Sequence, residues 1–217
     1  YDSSLNMKII DALGIIHNPD AGIDIEEMLP GGSHPARVRL LKEEMIAFQA
    51  GMAFLKRKQK RHQAYSLSKE GEWTREVKSN FPFELTKAQT KVVNEIKEDL
   101  SQVVPMMRLV QGDVGSGKTV VGALAAALAL DSSFQVAFMA PTTLLAEQHF
   151  ISLKSFFNKH AGKVALLTGS SSASQRKKIL QDLKDSKIKL LVGTHALFQK
   201  SVEFSNLALI ILSLIHI

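Results

Sequence analysis

The chain has no cysteine, so neither a disulfide framework nor a thiolate metal site can be part of its design. No apolar run approaches about 20 residues, which excludes a helix long enough to cross a bilayer. The opening "YDSSLNMKIIDALGI" has no basic segment leading into a sustained apolar core, so it does not read as a signal peptide. Internal repeats and low-complexity tracts are also missing. The chain opens without methionine and stops inside an apolar run, as if cut at both ends. What remains is ordinary globular composition, with 45% hydrophobic and 22% charged residues in 217, enough for one domain and part of another. The net charge of +6 favours polyanionic partners, nucleic acid first among them.

Along the chain, residues 1–34 hold short apolar pieces and the turn-rich "MLPGGSHP". Ser33 is placed to cap a helix with Pro35 in its first turn. Val38, Leu41, Met45, Phe48, Met52 and Leu55 then recur at steps of three and four, one face of a long helix. Its end, "LKRKQKRH", carries the basic stretch 56–61. Cations there suit the helix dipole and equally suit a phosphate-contacting patch. Residues 63–82 are polar without a clear period and read as a linker, which places the domain boundary near residue 80. Thr86 and Gln89 have the spacing of a capping box. Ala88, Val92, Val93, Ile96 and Leu100 give the helix that follows an apolar face.

After Pro105 short aliphatic runs alternate with helical patterns. The runs at 107–111, 135–140, 164–168, 190–193 and 207–212 read as strands. Segments 142–160 and 174–185 read as helices. Continuous apolar strands alternating with helices predict an α/β fold with a parallel sheet covered on both faces.

The first run leads into "GDVGSGKT", residues 112–119, a G-x-x-x-x-G-K-[ST] phosphate loop. Gly112, Gly115 and Gly117 allow a turn tight enough for successive N–H groups to converge on phosphate oxygens. The following helix adds its unpaired N–H groups and positive dipole end. Lys118 is placed to reach the β- and γ-phosphates and Thr119 to ligate Mg²⁺ through its hydroxyl. The nucleotide-binding residues are therefore Gly112, Asp113, Val114, Gly115, Ser116, Gly117, Lys118 and Thr119. Lys118 and Thr119 are also the catalytic candidates, and Asp113 has no role of its own. The loop alone does not say what hydrolysis is used for. The guanine-specifying Asn-Lys-x-Asp stretch is missing, which counts against a GTPase.

Three further stretches complete a pattern: "FPFELTKAQ" before the loop, "APTTLLAEQH" after one strand and "GTHALFQ" after another. In this order and spacing the chain resembles the first, RecA-like motor domain of the superfamily-2 DNA helicases and translocases. Within them it is most similar to the RecG-like family of ATP-dependent helicases that remodel branched DNA in repair and recombination. "HPARVRLLKEE" and "MMRLVQGDVGSGKT" carry that narrower likeness. The resemblance implies ATP and Mg²⁺ as cofactors and branched or single-stranded DNA as partner. It further implies a cytoplasmic bacterial enzyme, without membrane association and working as a monomer. Residues 1–80 would be the helical linker and tail of an upstream DNA-binding domain, and 81–217 the ATP-binding motor domain. Gln89 would stand where relatives read adenine, a role compatible with its place in the capping box. Phe81 or Phe83 would lie near the base or be buried at a domain edge. Pro141, Thr142 and Thr143 would lie along DNA, although they also suit a plain helix start. Thr143 replaces a Glu common in relatives. Thr194 and His195 would make a second backbone contact.

One element of the pattern does not appear. In such motors the strand at 207–211 runs into Asp-Glu-x-His, which supplies a magnesium ligand and the base that activates water. Here "LSLIHI" follows, and no carboxylate occurs after Glu203. His216 does not have the spacing of the motif histidine. The closing residues read as a truncated or frame-shifted end, and the isolated chain is expected to lack ATP hydrolysis. The alternative reading is a non-catalytic nucleotide- or nucleic-acid-binding module.

Overall fold

A computed structural model describes residues 7–59 and 62–213. Lys60 and Arg61 of the basic stretch, and the closing residues 214–217 with His216, lie outside the described residues. The chain divides into two compact units, before and after the step from His62 to Gln63.

The first unit holds α1 (Ile9–His17), α2 (Ile25–Met28) and α3 (Pro35–Gln59). Ala12 of α1 and Ala36 of α3 are fully buried, small residues that let helices approach closely. Arg39 ties α3 to the chain start by donating to the Met7 carbonyl at 3.0 Å. Ser33 is not the residue next to the helix. Pro35 is the first helical residue, so His34 flanks it, and His34 Nδ1 accepts from the Ala36 N–H at 3.2 Å. The helix itself follows the expected period. Its apolar face is nevertheless in contact with water, with Leu41, Met45, Phe48, Met52 and Leu55 exposed by 40–62%.

The second unit begins earlier than its motifs suggest. Residues 63–82, read from the sequence as linker, pack within it. The Ala64 N–H donates to the Val103 carbonyl at 2.8 Å, the Leu67 N–H to that of Leu100 at 2.7 Å, and the Leu67 side chain is buried. A further helix, α4 (Glu72–Asn80), follows and buries Trp73, Thr74, Glu76 and Val77. One carboxylate organises its start. Asp131, at the end of a later helix, accepts from the N–H groups of Gly71, Trp73 and Thr74 at 2.8–3.0 Å and from the Thr74 hydroxyl at 2.6 Å. Orphan donors of a helix start are thus satisfied by a charge that also suits the dipole. On the other side, buried Glu76 accepts from the Lys159 N–H and pairs with His160 Nδ1 at 2.5 Å, while the Trp73 ring stacks on the imidazole at 4.0 Å.

Next come α5 (Lys87–Leu100), α6 (Lys118–Asp131), β1 (Gln135–Met139), α7 (Thr143–Phe156), β2 (Val164–Leu167), α8 (Ala173–Lys184), β3 (Leu190–Gly193) and β4 (Leu207–Leu212). The strands form one sheet, every pair parallel, in the order β2-β3-β1-β4. Helix α6 is the centre of the core: Val120, Val121 and each residue from Ala123 to Leu130 are buried. Gly122 lets it lie flat on the sheet, since a Cβ there would stand 3.3 Å from the Phe138 ring. Buried Gln135 stitches three segments, donating to the carbonyls of Leu183 and Ile188 at 2.8 Å and accepting from the Asn206 N–H at 3.0 Å.

One expected strand does not form. Residues 107–111 are irregular, with Met107 83% and Leu109 69% exposed. A strand exists only through its ladder, and among the described residues β4 pairs with β1 and with no strand on its other side. The expected helix 142–160 ends as α7 at Phe156 and tightens into a 3-10 turn over Asn158–Lys163.

Replacing Asp131 by Ala should cost about 2 kcal/mol, because four donors lose one charged acceptor. For a chain of this size that lowers the melting temperature by roughly 4–8 °C. A circular-dichroism melt within 1 °C of wild type would remove Asp131 as the anchor of α4.

Candidate functional site

The phosphate loop sits at the entry to α6. Gly115 and Gly117 have φ of +81° and +83°, the left-handed region that L side chains avoid. Gly117 is the residue before the helix, and the loop folds back through the Ser116 N–H donating to the Asp113 carbonyl at 3.1 Å. The Val120 and Val121 N–H groups donate to the Gly117 carbonyl at 2.9 and 3.3 Å, which leaves those of Lys118 and Thr119 at the helix start for an anion, with the dipole behind them. Lys118 Nζ donates to the carbonyls of Gly112 and Asp113 at 2.6 and 2.7 Å. The ammonium therefore leans on the loop's own oxygens, and an incoming phosphate would compete with them for it. Thr119 is half-buried in the first turn of α6, and Val114 is fully exposed at the loop tip. The loop thus offers backbone donors, one ammonium and one hydroxyl, a donor set that fits a triphosphate with its magnesium ion.

Gln89 reaches this loop from α5. The capping box is complete: Thr86 Oγ1 accepts from the Gln89 N–H at 3.2 Å, and Gln89 Oε1 accepts from the Thr86 N–H at 2.9 Å. Gln89 Nε2 then donates to the Ser116 carbonyl at 2.9 Å. Reading the sequence anticipated the first pair of bonds and missed the third, which no local spacing encodes. An amide has two donors and two acceptor lone pairs, so one of each stays open beside the loop. Phe81 and Phe83 stack at 5.9 Å with parallel planes; Phe81 also meets Phe156 edge-on, and Phe83 stays half exposed.

The other candidates lie where strands end. Parallel strands deliver their C-terminal loops to one edge of the sheet, the usual ligand edge of such folds. After β1, Pro141, Thr142 and Thr143 are exposed, and Thr142 caps α7 by accepting from the Leu145 N–H at 3.3 Å. After β3, His195 is exposed, whereas Thr194 is buried. After β2 lies a hydroxyl cluster that the sequence reading passed over. Thr168 Oγ1 and Ser170 Oγ are 2.8 Å apart, and Ser171 Oγ accepts from the Thr168 N–H at 3.1 Å. Its signal was the run "TGSSSAS" directly after an apolar strand. After β4, Ser213 Oγ lies 2.9 Å from His149 Nε2, and the His149 ring packs on Phe138 at 4.9 Å. Burial holds the His149 imidazole below its ordinary pKa, so it stays neutral near pH 7. Among the described residues no group of three or more His, Asp and Glu side chains could hold a metal ion. The candidates thus fall into two groups, the glycine loop at residues 112–119 joined by Gln89, and a row of loop residues along the sheet edge.

The sequence profile of the DEAD/DEAH box helicases matches residues 86–216. The chain is 42% identical over 206 residues to the ATP-dependent DNA helicase RecG of Pasteurella multocida, covering 95% of this chain and 30% of that protein. The protein of the same name from Synechocystis is 46% identical over 182 residues, covering 83% of this chain and 22% of its own length. A solved structure of RecG bound to a three-way DNA junction superposes with a TM-score of 0.75 at 40% identity, over 81% of this chain and 24% of that one. The chain therefore spans about 30% or less of the length of these relatives.

The depressed pKa of His149 fixes a sign. Its contribution to stability is whole above the unfolded value near 6.5 and is lost as pH falls from there through the lower folded value, because the unfolded chain binds the proton more readily. His149→Gln should therefore lose less stability than wild type between pH 7.5 and 5. Parallel pH profiles in thermal melts would show that the imidazole is not held neutral by burial.

Proposed function

The chain belongs to the DEAD/DEAH box helicase family, and from that premise we propose that it forms the ATP-binding front of a RecG-type DNA helicase. The parent activity is ATP-driven remodelling of branched DNA, such as forks and recombination junctions. One observation carries this reading more than any other. A glycine loop with two left-handed residues opens onto a buried helix, and the loops of the same sheet edge carry exposed Thr142, Thr143 and His195. Such an edge suits a nucleotide at one end and a sugar–phosphate strand along the rest.

In this reading the backbone N–H groups of residues 112–119 cradle the phosphates. Lys118 leaves its two carbonyl partners for the β- and γ-phosphate oxygens. The Thr119 hydroxyl would hold Mg²⁺, which would supply charge neutralisation at the transferred phosphoryl group. Gln89 offers its open donor and acceptor to the adenine edge while Nε2 keeps the Ser116 carbonyl in place. Pro141, Thr142, Thr143 and His195 meet the DNA backbone, with Thr194 beneath them. The helical unit before residue 63 is the tail of an upstream DNA-binding region, which the sequence places at 1–80. The protein works in the bacterial cytoplasm as a monomer.

Water activation in this chemistry needs a carboxylate near the γ-phosphate, and none follows Glu203. The 217-residue chain should therefore bind Mg·ATP no more than weakly and not turn it over. Calorimetric titration should show adenine-nucleotide binding in the wild type and none in Lys118→Ala. Equal affinity in both proteins would overturn the loop assignment. Phosphate release stimulated by DNA would overturn the argument from the missing base.

A further inference from the structure

Three loops on the sheet edge are lateral neighbours because their strands are: 168–172 after β2, 194–199 after β3 and 140–143 after β1. The outer two present hydroxyls. The middle one also presents an aromatic ring. Residues His195–Phe198 make a single 3-10 turn in which Ala196 and Leu197 are buried and Phe198 is 64% exposed. Unlike Phe81, Phe138 and Phe157, which each meet another ring, Phe198 has no ring partner among the described residues.

A single exposed apolar side chain is common on protein surfaces and by itself means little. What distinguishes Phe198 is how firmly its backbone is held. The Leu197 N–H donates to the Thr194 carbonyl at 3.0 Å and the Val202 N–H to that of Gln199 at 2.9 Å. From α8, the Arg176 guanidinium donates to Gln199 Oε1 and to Ser201 Oγ at 3.3 Å. The backbone is thus held on both sides of residue 198, by Thr194 before it and through Gln199 and Ser201 after it, and exposed Lys200 follows two residues on. A fixed aromatic face, set between hydroxyl-bearing loops with an exposed lysine two residues on, has the parts of a base-stacking platform.

We propose that Phe198 stacks on one nucleobase of an unpaired stretch of DNA lying along this edge, while Thr142, Thr143 and His195 meet the phosphates. The inference rests on reading the edge as the nucleic-acid track. Every base has a π-face, so the contact would hold the strand without selecting its sequence.

The test uses the full chain, a fluorescently labelled single-stranded oligonucleotide and an abasic oligonucleotide of the same length, followed by anisotropy. Phe198→Ala should weaken binding to the base-bearing strand by about five- to a hundred-fold and leave the abasic strand unaffected. Phe198→Tyr should restore the loss. Phe198→Trp places an exposed indole in a chain whose one tryptophan, Trp73, is buried, and its emission should be quenched by the base-bearing strand alone. Equal weakening on both strands, or no weakening together with an unquenched indole, overturns stacking while leaving the track intact. If the wild type binds neither strand, the track itself is wrong and this inference falls with it.

Discussion

The structure depends on one constraint, that the glycine loop at residues 112–117 must be delivered by a helix that cannot move. The loop's geometry comes from Gly115 and Gly117 in the left-handed region, and its orientation comes from α6. That helix is buried over almost its whole length by alanine, leucine and valine. Small side chains let it lie against the sheet, as at Gly122 beside Phe138. Close packing of this kind resists displacement, so the first-turn N–H groups keep their direction. The Lys118 side chain rests on two carbonyls of the loop, weaker anchors than a phosphate would be, since charge-assisted bonds between two ions are the stronger kind.

Around that centre, single polar side chains join segments distant in sequence. Gln89 links the start of α5 to the loop through the Ser116 carbonyl. Asp131, at the far end of α6, holds the start of α4. Glu76 ties α4 to the turn after α7. The two ends of α6 are thereby attached to different parts of the chain before the loop. This is why residues 63–82 belong with the second unit, despite a composition that reads as linker.

The parts legible in the sequence were those governed by local rules. Aliphatic runs marked β1 to β4, the Thr86–Gln89 spacing marked the capping box, and the glycine spacing marked the loop. What escaped depended on distant partners. Helix α4 buries Trp73 and Val77, one turn apart, against the later elements α6 and α7, and its cap is Asp131 rather than a neighbour. Residues 107–111 have the composition of a strand but no adjacent ladder among the described residues. The α3 periodicity gave the helix correctly, yet period alone does not say what covers the apolar side, and Phe48 and Met45 stay exposed. The sequence names Thr194 and His195 as a pair. The fold separates them, with one side chain buried and the other in water.

The central claim is that the amides of residues 112–119 close on a triphosphate. Amide ¹⁵N–¹H spectra of the full chain, recorded while Mg·ATP is added, test it most directly. Large shifts should concentrate at Gly115, Gly117, Lys118 and Thr119, with a smaller response at the Gln89 side-chain amide. An unchanged loop, with shifts absent or confined to other surfaces, would contradict the account.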